Sequence, residues 1–103
     1  MGLTVALGRR AGVAIRVRGG LELVAFADSQ AFLAACEAAG VLVLGVEGFH
    51  LEGDHVRPDM GAIADFSQVR DCKASVLEAR AFIEAVGRPK MLFDFVLSEQ
   101  EIA

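Results

Sequence analysis

The 103-residue sequence predicts one α+β domain over residues 1–103, built as a mostly antiparallel sheet of five or six strands with two helices packed on one face. Three observations support this fold class. Apolar residues alternate with period two in several short stretches, two longer stretches have helical spacing, and turn dipeptides join neighbouring strands. The expected order is β-β-α-β-β-α-β, and residues 3–7 are either an additional strand or a loose end.

The first hairpin is predicted at residues 12–26. Apolar residues alternate from Val13 to Val17, which is the period of a half-buried strand. Gly19-Gly20 supplies the positive φ angles of a two-residue turn, and the chain returns as a second strand.

Two helices are predicted, at residues 27–40 and 71–87. The first has an apolar stripe, a candidate N-cap at Asp28 or Ser29, and a glycine at its end. The second has the more regular stripe, with Asp71 at its N-cap. A final strand follows it, with alternate residues on one face. They are Met91, Phe93, Phe95 and Leu97.

The two cysteines, Cys36 and Cys72, fall on the apolar sides of these helices. We expect both to be buried thiols that pack as small hydrophobic side chains. A disulfide is the alternative if the two helices pack side by side. Because two cysteines do not make a disulfide framework, a reducing cytoplasm is the expected compartment.

The middle of the chain predicts a buried strand followed by a second hairpin. The stretch VLVLGV is entirely apolar, which is typical of a strand covered on both faces or nearly so. Gly53-Asp54 fits a two-residue turn that pairs Glu52 with His55. Pro58 is expected to end the returning strand, because it cannot donate to a ladder. Asp59 is then expected to cap a single helical turn.

Residues 45–67 hold five of the fourteen acids and both histidines. Concentrated acid on a hairpin can steer a basic partner. The leading hypothesis is therefore a non-enzymatic, acidic protein-interaction domain, resembling immunity or inhibitor proteins in size and charge, that occludes a basic toxin or nuclease. The expected contact residues are Glu47, Phe49, His50, Glu52, Asp54, His55, Asp59 and Asp65.

The alternative hypothesis is a small enzyme or a ligand- or metal-binding protein that uses His50, His55 and neighbouring carboxylates. The spacing matches neither HExxH nor a calcium loop, and no GxSxG motif occurs. We therefore assign no catalytic residue, metal or cofactor from the sequence. Asp65 and Asp94 are flanked by apolar residues, and a partly buried carboxylate can be an acid or base with a shifted pKa. We expect the simpler roles instead, a loop cap for Asp65 and an outward-facing strand residue for Asp94.

Residues 1–20 carry four arginines and no acid, so the acidic charge lies entirely in the rest of the chain. This segment is a basic face of the first strands, a basic arm, or a stretch that lies upstream of the natural start because the start of the reading frame is misassigned. Nucleic acid is not the expected partner, because the remaining domain is acidic and lacks Trp and Tyr for stacking. A homo-oligomer in which these strands meet the acidic face of another copy is a third hypothesis.

No targeting or membrane segment is expected from the sequence. The first ten residues lack a basic stretch ahead of their short apolar one, so they do not resemble a signal peptide. No apolar run reaches the roughly 18 residues that a membrane span needs.

Overall fold

The computed structural model describes residues 2–98, which form five strands and three α-helices. The α+β class and the five-stranded antiparallel sheet agree with the sequence prediction, whereas the third helix does not. A single 3-10 turn at Phe26–Asp28 precedes the second helix. The elements are α1 (Leu3–Ala11), β1 (Ile15–Arg18), β2 (Leu21–Ala25), α2 (Ser29–Ala39), β3 (Val43–Glu52), β4 (His55–Asp65), α3 (Cys72–Val86) and β5 (Met91–Leu97).

The strand order is β1-β2-β5-β3-β4, and every neighbouring pair is antiparallel. Both predicted hairpin turns are confirmed. Arg18 pairs with Leu21 across the Gly19-Gly20 turn, and Glu52 pairs with His55 across the next one. The last strand enters the centre of the sheet, so the two hairpins lie on either side of it.

The N-terminal segment corrects the prediction of a strand or loose end, because residues 3–7 lie in α1. Leu3 and Leu7 are one helical turn apart, and both pack on the core. Gly12 ends the helix with a positive φ of 71°. A Cβ at Gly8 would lie 2.6 Å from the Ile15 side chain, so the missing side chain lets α1 approach β1. Apolar residues in this segment fit period two and the helical period alike, which is why the sequence was ambiguous.

All three helices pack on one face of the sheet. The main core joins helix residues such as Leu7, Phe32 and Ile83 to strand residues such as Val46 and Phe93. The other face has no helical layer and is called the open face below. A smaller apolar cluster of strand residues lies there. β3 is thus covered by helices on one side only, which corrects the expectation of cover on both faces.

The β4 strand continues past Pro58 to Asp65, contrary to the predicted strand end and helical turn. Pro58 is tolerated within it because β4 is an edge strand, where a missing N–H need not interrupt a ladder. The register with β3 shifts sharply at this point: Glu47 pairs with Ile63, but Phe49 pairs with Pro58. Residues 59–62 therefore form a wide bulge opposite Gly48.

The N-cap of α3 is confirmed, since the Asp71 carboxylate accepts a hydrogen bond from the Ala74 N–H at 2.8 Å. The cap of α2 is different, because Asp28 makes no side-chain capping hydrogen bond there. Ser29 instead donates its hydroxyl hydrogen to the Phe26 carbonyl oxygen, 2.7 Å away. The preceding 3-10 turn provides that carbonyl, so α2 begins through a turn rather than a side-chain cap.

The cysteines are free thiols, with Cys36 buried and Cys72 partly buried. Burial, and secondarily the neighbouring Cys72, raise the pKa of the Cys36 thiol to about 12. Cys36 is therefore protonated at neutral pH and packs as a small hydrophobic residue. No helix within residues 2–98 is long and apolar enough to cross a membrane.

Candidate functional site

The structure divides the predicted contact residues between the two faces of the β3–β4 hairpin. Side chains alternate along β3, so Glu47 and Phe49 point to the open face, while His50 and Glu52 point to the opposite one. Asp65 pairs with Gly45 and shares the open face with Glu47. The eight residues therefore do not form one cluster, and the five carboxylates among them are distributed over both faces and the tip of the hairpin.

The hairpin tip carries exposed charges on two adjoining strands and the turn between them. Glu52 and Arg57 form an ion pair, with 3.2 Å between Oε2 and Nε, and both side chains are more than half exposed. Such an exposed pair contributes at most about 1 kcal/mol to folding. Asp54 lies in the turn and His55 begins β4, and both are exposed. These side chains are accessible to a partner without any rearrangement of the core.

The bulge in β4 is held by one carboxylate. Asp59 Oδ2 lies 2.8 Å from His50 Nε2, and its Oδ1 accepts a hydrogen bond from the Gly61 N–H at 2.9 Å. The hydrogen bonds from His50 and Gly61 lower the pKa of Asp59, which is therefore ionised at neutral pH. Asp59 thus has a structural role in addition to its charge.

Gly48 makes the bulge fit against the rest of the sheet. A Cβ at this position would lie 2.8 Å from Met91 Cε and 2.9 Å from the Cβ of Ala62. Ala62, itself buried, occupies the space that a side chain at Gly48 would need. The bulge therefore turns inward at Ala62 and leaves Met60, which is 79% exposed, on the surface.

Asp65 ends β4 as a local cap, as expected from the sequence. Its Oδ1 accepts a hydrogen bond from the Ser67 N–H at 2.8 Å. The hydrogen bonds from Ser67 lower the pKa of Asp65. A carboxylate with a lowered pKa is ionised at neutral pH, so Asp65 adds a fixed negative charge to the open face.

A pair of carboxylates lies in the acidic half of the open face. Glu47 on β3 is directly opposite Asp94 on β5, and both side chains are half-buried. Burial, and then the charge of Glu47, raise the pKa of Asp94. Like charges at directly opposite positions of a sheet are unfavourable. Among residues 2–98 neither carboxylate has a basic partner in an ion pair.

The sequence singled out Asp94 for its apolar neighbours but did not identify this pairing. The sequence could show which face of the sheet Asp94 occupies. Asp94 lies between the core residues Phe93 and Phe95 in β5, so its side chain must point away from the core. Which residue it faces depends on the register between β3 and β5. These strands are separated in the chain by β4 and α3, so local periodicity carries no information about their register.

The histidines do not converge on one group of ligands. His50 is bonded to Asp59, whereas His55 lies beside the turn, across from Glu52. Across the described part of the chain, no three His, Cys, Asp or Glu side chains are placed to hold a metal ion together. The hypothesis of a site built from His50, His55 and carboxylates is matched only by the contact between His50 and Asp59 among the described residues. That hypothesis stays a prediction.

A shallow cleft of about 440 Å³ opens beside the hairpin tip. Leu51 and Leu92 supply apolar walls, and the basic residues Arg16 and Lys90 lie at its margin. The charged residues of the cleft are basic, whereas those of the hairpin are mainly acidic. The cleft is therefore unsuited to binding a cation. The acidic side chains of the hairpin lie outside it.

Comparisons with protein-family models, with curated proteins and with solved structures gave no match for this chain.

Proposed function

We propose that the protein is a small interaction domain of the immunity or inhibitor type, which binds a basic protein partner and blocks it by occlusion. The observation that carries this proposal is the charge of the β3–β4 hairpin. Its two strands and turn carry five carboxylates against a single arginine. The hairpin forms one edge of the sheet, so a partner can reach its tip and the free edge of β4.

The tip is the proposed centre of contact. Glu52 and Asp54 are exposed, and neither is required by the core. Asp59 adds a third carboxylate on the same side as Glu52, while its bonds to His50 and Gly61 fix the shape of the surface. Charges of one sign on a rigid surface accelerate association with an oppositely charged protein and make the rate depend on salt.

The proposed partner is a protein such as a basic toxin or nuclease. An edge hairpin offers an extended exposed surface, whereas small molecules usually occupy concave sites with apolar walls. The proposed compartment is the cytoplasm, which the free thiols Cys36 and Cys72 support, since disulfides are uncommon there.

Charge reversal at the tip tests the proposal. Partners are first captured from the source cells with tagged wild-type protein, identified by mass spectrometry and then purified. Their affinity is measured by calorimetry for wild type and for the Glu52→Lys/Asp54→Lys double variant. We expect a basic partner whose affinity for the variant falls by about 10- to 100-fold, with a weaker salt dependence. Asp59 is left unchanged because it orders the bulge.

The matched control is Glu78→Lys/Glu84→Lys, which reverses the same number of exposed carboxylates on α3. This control changes the net charge equally but not the hairpin. If purified partners bind the hairpin variant as tightly as wild type, or if both double variants weaken binding equally, the hairpin is not the contact surface. Inhibition of the partner's own activity at one-to-one stoichiometry would support occlusion.

A further inference from the structure

The open face of the sheet carries opposite charges at its two sides. Arg16 and Arg18 pair with Leu23 and Leu21 and share their face, so both arginines lie on the open face at the β1 edge. On the other side, Glu47 and Asp94 occupy β3 and β5, and Asp65 lies at the β4 edge. The two charged regions are separated by the width of β2.

The side chains between them form the small apolar cluster of the open face. Leu23, Leu92 and Phe49 are almost fully buried, at 0%, 2% and 5% exposure, although no helix covers them. Neighbouring side chains on the same face close over this cluster. Beside the acidic residues, Val96 and Ile63 are 53% and 47% exposed, so the accessible apolar surface of the open face lies on its acidic side.

The charged groups lack partners of opposite sign in the described part of the chain. Its ion pairs are His50 with Asp59 and Glu52 with Arg57, and none of the open-face charges takes part. Asp94 is half-buried and faces Glu47, an arrangement that an incoming cation would relieve. A molecule that covers this face must therefore bring basic groups to one side and acidic groups to the other.

We propose that a second copy of this chain covers the open face. A two-fold axis that runs along the strands, between two stacked sheets, reverses the strand order in the second copy. With this axis over the boundary between β2 and β5, β1 of one copy lies over β3 of the other. Arg16 then lies opposite Glu47, at the same level along the strands, and Asp94 is one strand away. The symmetry repeats this contact at the opposite side, as in an isologous dimer. A wholly basic partner would leave the arginines unmatched, so the charge pattern favours a second copy.

The size of this interface can be compared with the accessible surface of the chain. Its four overlapping strands, spaced about 4.8 Å apart, span about 19 Å. A specific interface buries about 800 Å² on each partner, which is about one seventh of the 5737 Å² accessible surface of this chain. Facing sheets pack about 10 Å apart, so the side chains of the two faces can interdigitate.

This inference goes beyond the proposed function and does not depend on it. Glu52 and His50 point away from the open face, and Asp54 lies in the turn. The dimer therefore leaves the proposed partner-binding tip accessible on both copies. Dimerisation is measured on the purified protein alone, so either proposal can fail without the other.

Charge swapping tests the dimer. Sedimentation velocity of wild type at low salt and high protein concentration is expected to show a dimer that weakens as salt is added. Arg16→Glu/Arg18→Glu makes the face acidic, and Glu47→Lys/Asp94→Lys makes it basic. Each variant alone should dimerise at least about tenfold more weakly than wild type. An equimolar mixture should form a heterodimer, because both symmetry-related contacts are then complementary.

Two results would overturn the inference. The first is a wild-type monomer at low salt and high concentration. The second is a mixture of the two variants that stays monomeric although each is folded by circular dichroism.

A second pair of variants serves if the charge-swapped proteins do not fold. Val96 on the open face and Leu77 on the outer side of α3 are both 53% exposed, so either can become Lys at a similar cost to folding. We expect Val96→Lys to weaken the dimer at least about tenfold, because it places a charge in the interface. Leu77→Lys should sediment as wild type. Equal dimerisation by the two variants would contradict the proposed interface.

Discussion

The carboxyl groups of Asp59 and Asp94 show how the surroundings of one residue type set its charge. Asp59 accepts hydrogen bonds from His50 and Gly61, which lower its pKa. Asp94 is half-buried, accepts no hydrogen bond among the described residues, and faces Glu47, so its pKa is raised. The lowered pKa stabilises the folded protein above pH 3.8, the ordinary value, and this contribution is lost as the pH falls through the folded value. The raised pKa of Asp94 has the opposite effect, because ionisation of this carboxyl group destabilises the folded protein.

We predict that Asp94→Asn stabilises the monomer at neutral pH. A raised pKa means that ionisation of Asp94 costs folding free energy, and this cost appears as the pH rises from below 3.8 through the folded value. Because the side chain is partly solvated, the expected gain is only about 0.5 kcal/mol. Urea unfolding of dilute protein, with the dimer dissociated, should show a gain that vanishes at low pH. Glu78→Gln on α3 is the control, and an equal gain there would contradict the local explanation.

At the scale of elements, the β3–β4 hairpin combines a tight turn with a wide bulge. The turn follows from the local sequence, because Gly53 adopts a φ of 62° that few other residues tolerate. The bulge depends on contacts with other elements, since Gly48 must make room for Ala62 and Met91. The bulge lets Asp59 reach His50 and thereby shapes the acidic surface.

We predict that Gly48→Ala destabilises the protein by about 2 kcal/mol, because the new methyl group overpacks the interior. Its contacts would be with Met91 Cε at 2.8 Å and the Cβ of Ala62 at 2.9 Å. Gly61→Ala, in the same bulge, is the matched control, since its Cβ would meet only Asp59 Oδ1 at 3.4 Å. The free energy of unfolding in urea measures both. Similar losses in the two variants would argue against the steric explanation.

For the whole molecule, Ser75 links the helical layer to the sheet. It is fully buried on α3, where its hydroxyl donates to the Cys72 carbonyl at 2.8 Å and accepts from the Val43 N–H at 3.1 Å. The N–H at the start of β3 is thereby paired with a helix residue. This hydrogen bond fixes the position of α3 over β3.

We predict that Ser75→Ala costs about 1–3 kcal/mol, because it leaves the buried Val43 N–H without an acceptor. Ser98→Ala removes a comparable bond, from the Leu42 N–H to Ser98 Oγ at 3.0 Å, but at a half-buried position that water can reach. The loss for Ser98→Ala should therefore be smaller. Thermal and urea unfolding compare the two, and equal losses would mean that burial does not set the cost at Ser75.

The two proposed surfaces occupy different parts of the same domain. The open face would bind a second copy through Arg16, Arg18 and the Glu47–Asp94 pair, and the hairpin tip would bind a basic partner through Glu52 and Asp54. Salt is expected to weaken both associations, because each depends on charge. The variants of one surface leave the other intact, so each serves as a control for the other.

The sequence by itself determined the elements that depend on local chemistry. The Gly19-Gly20 and Gly53-Asp54 turns, the stripe and cap of α3, and the alternation of β5 were all predicted correctly. Each reports the conformational preference or periodicity of a few neighbouring residues. The sequence also showed that acidic residues are concentrated in residues 45–67. It did not show which face of the sheet each carboxylate would occupy.

Only the tertiary structure decided the features that depend on contacts between distant segments. The N-terminal stretch forms α1 because a helix lets both Leu3 and Leu7 pack against the main core. Its local pattern of apolar residues fitted a strand equally well. Pro58 stayed within β4 because that strand lies at the sheet edge. The opposition of Glu47 and Asp94 follows from the register of β3 and β5. Register is set by the packing of the whole sheet, and local periodicity does not contain it.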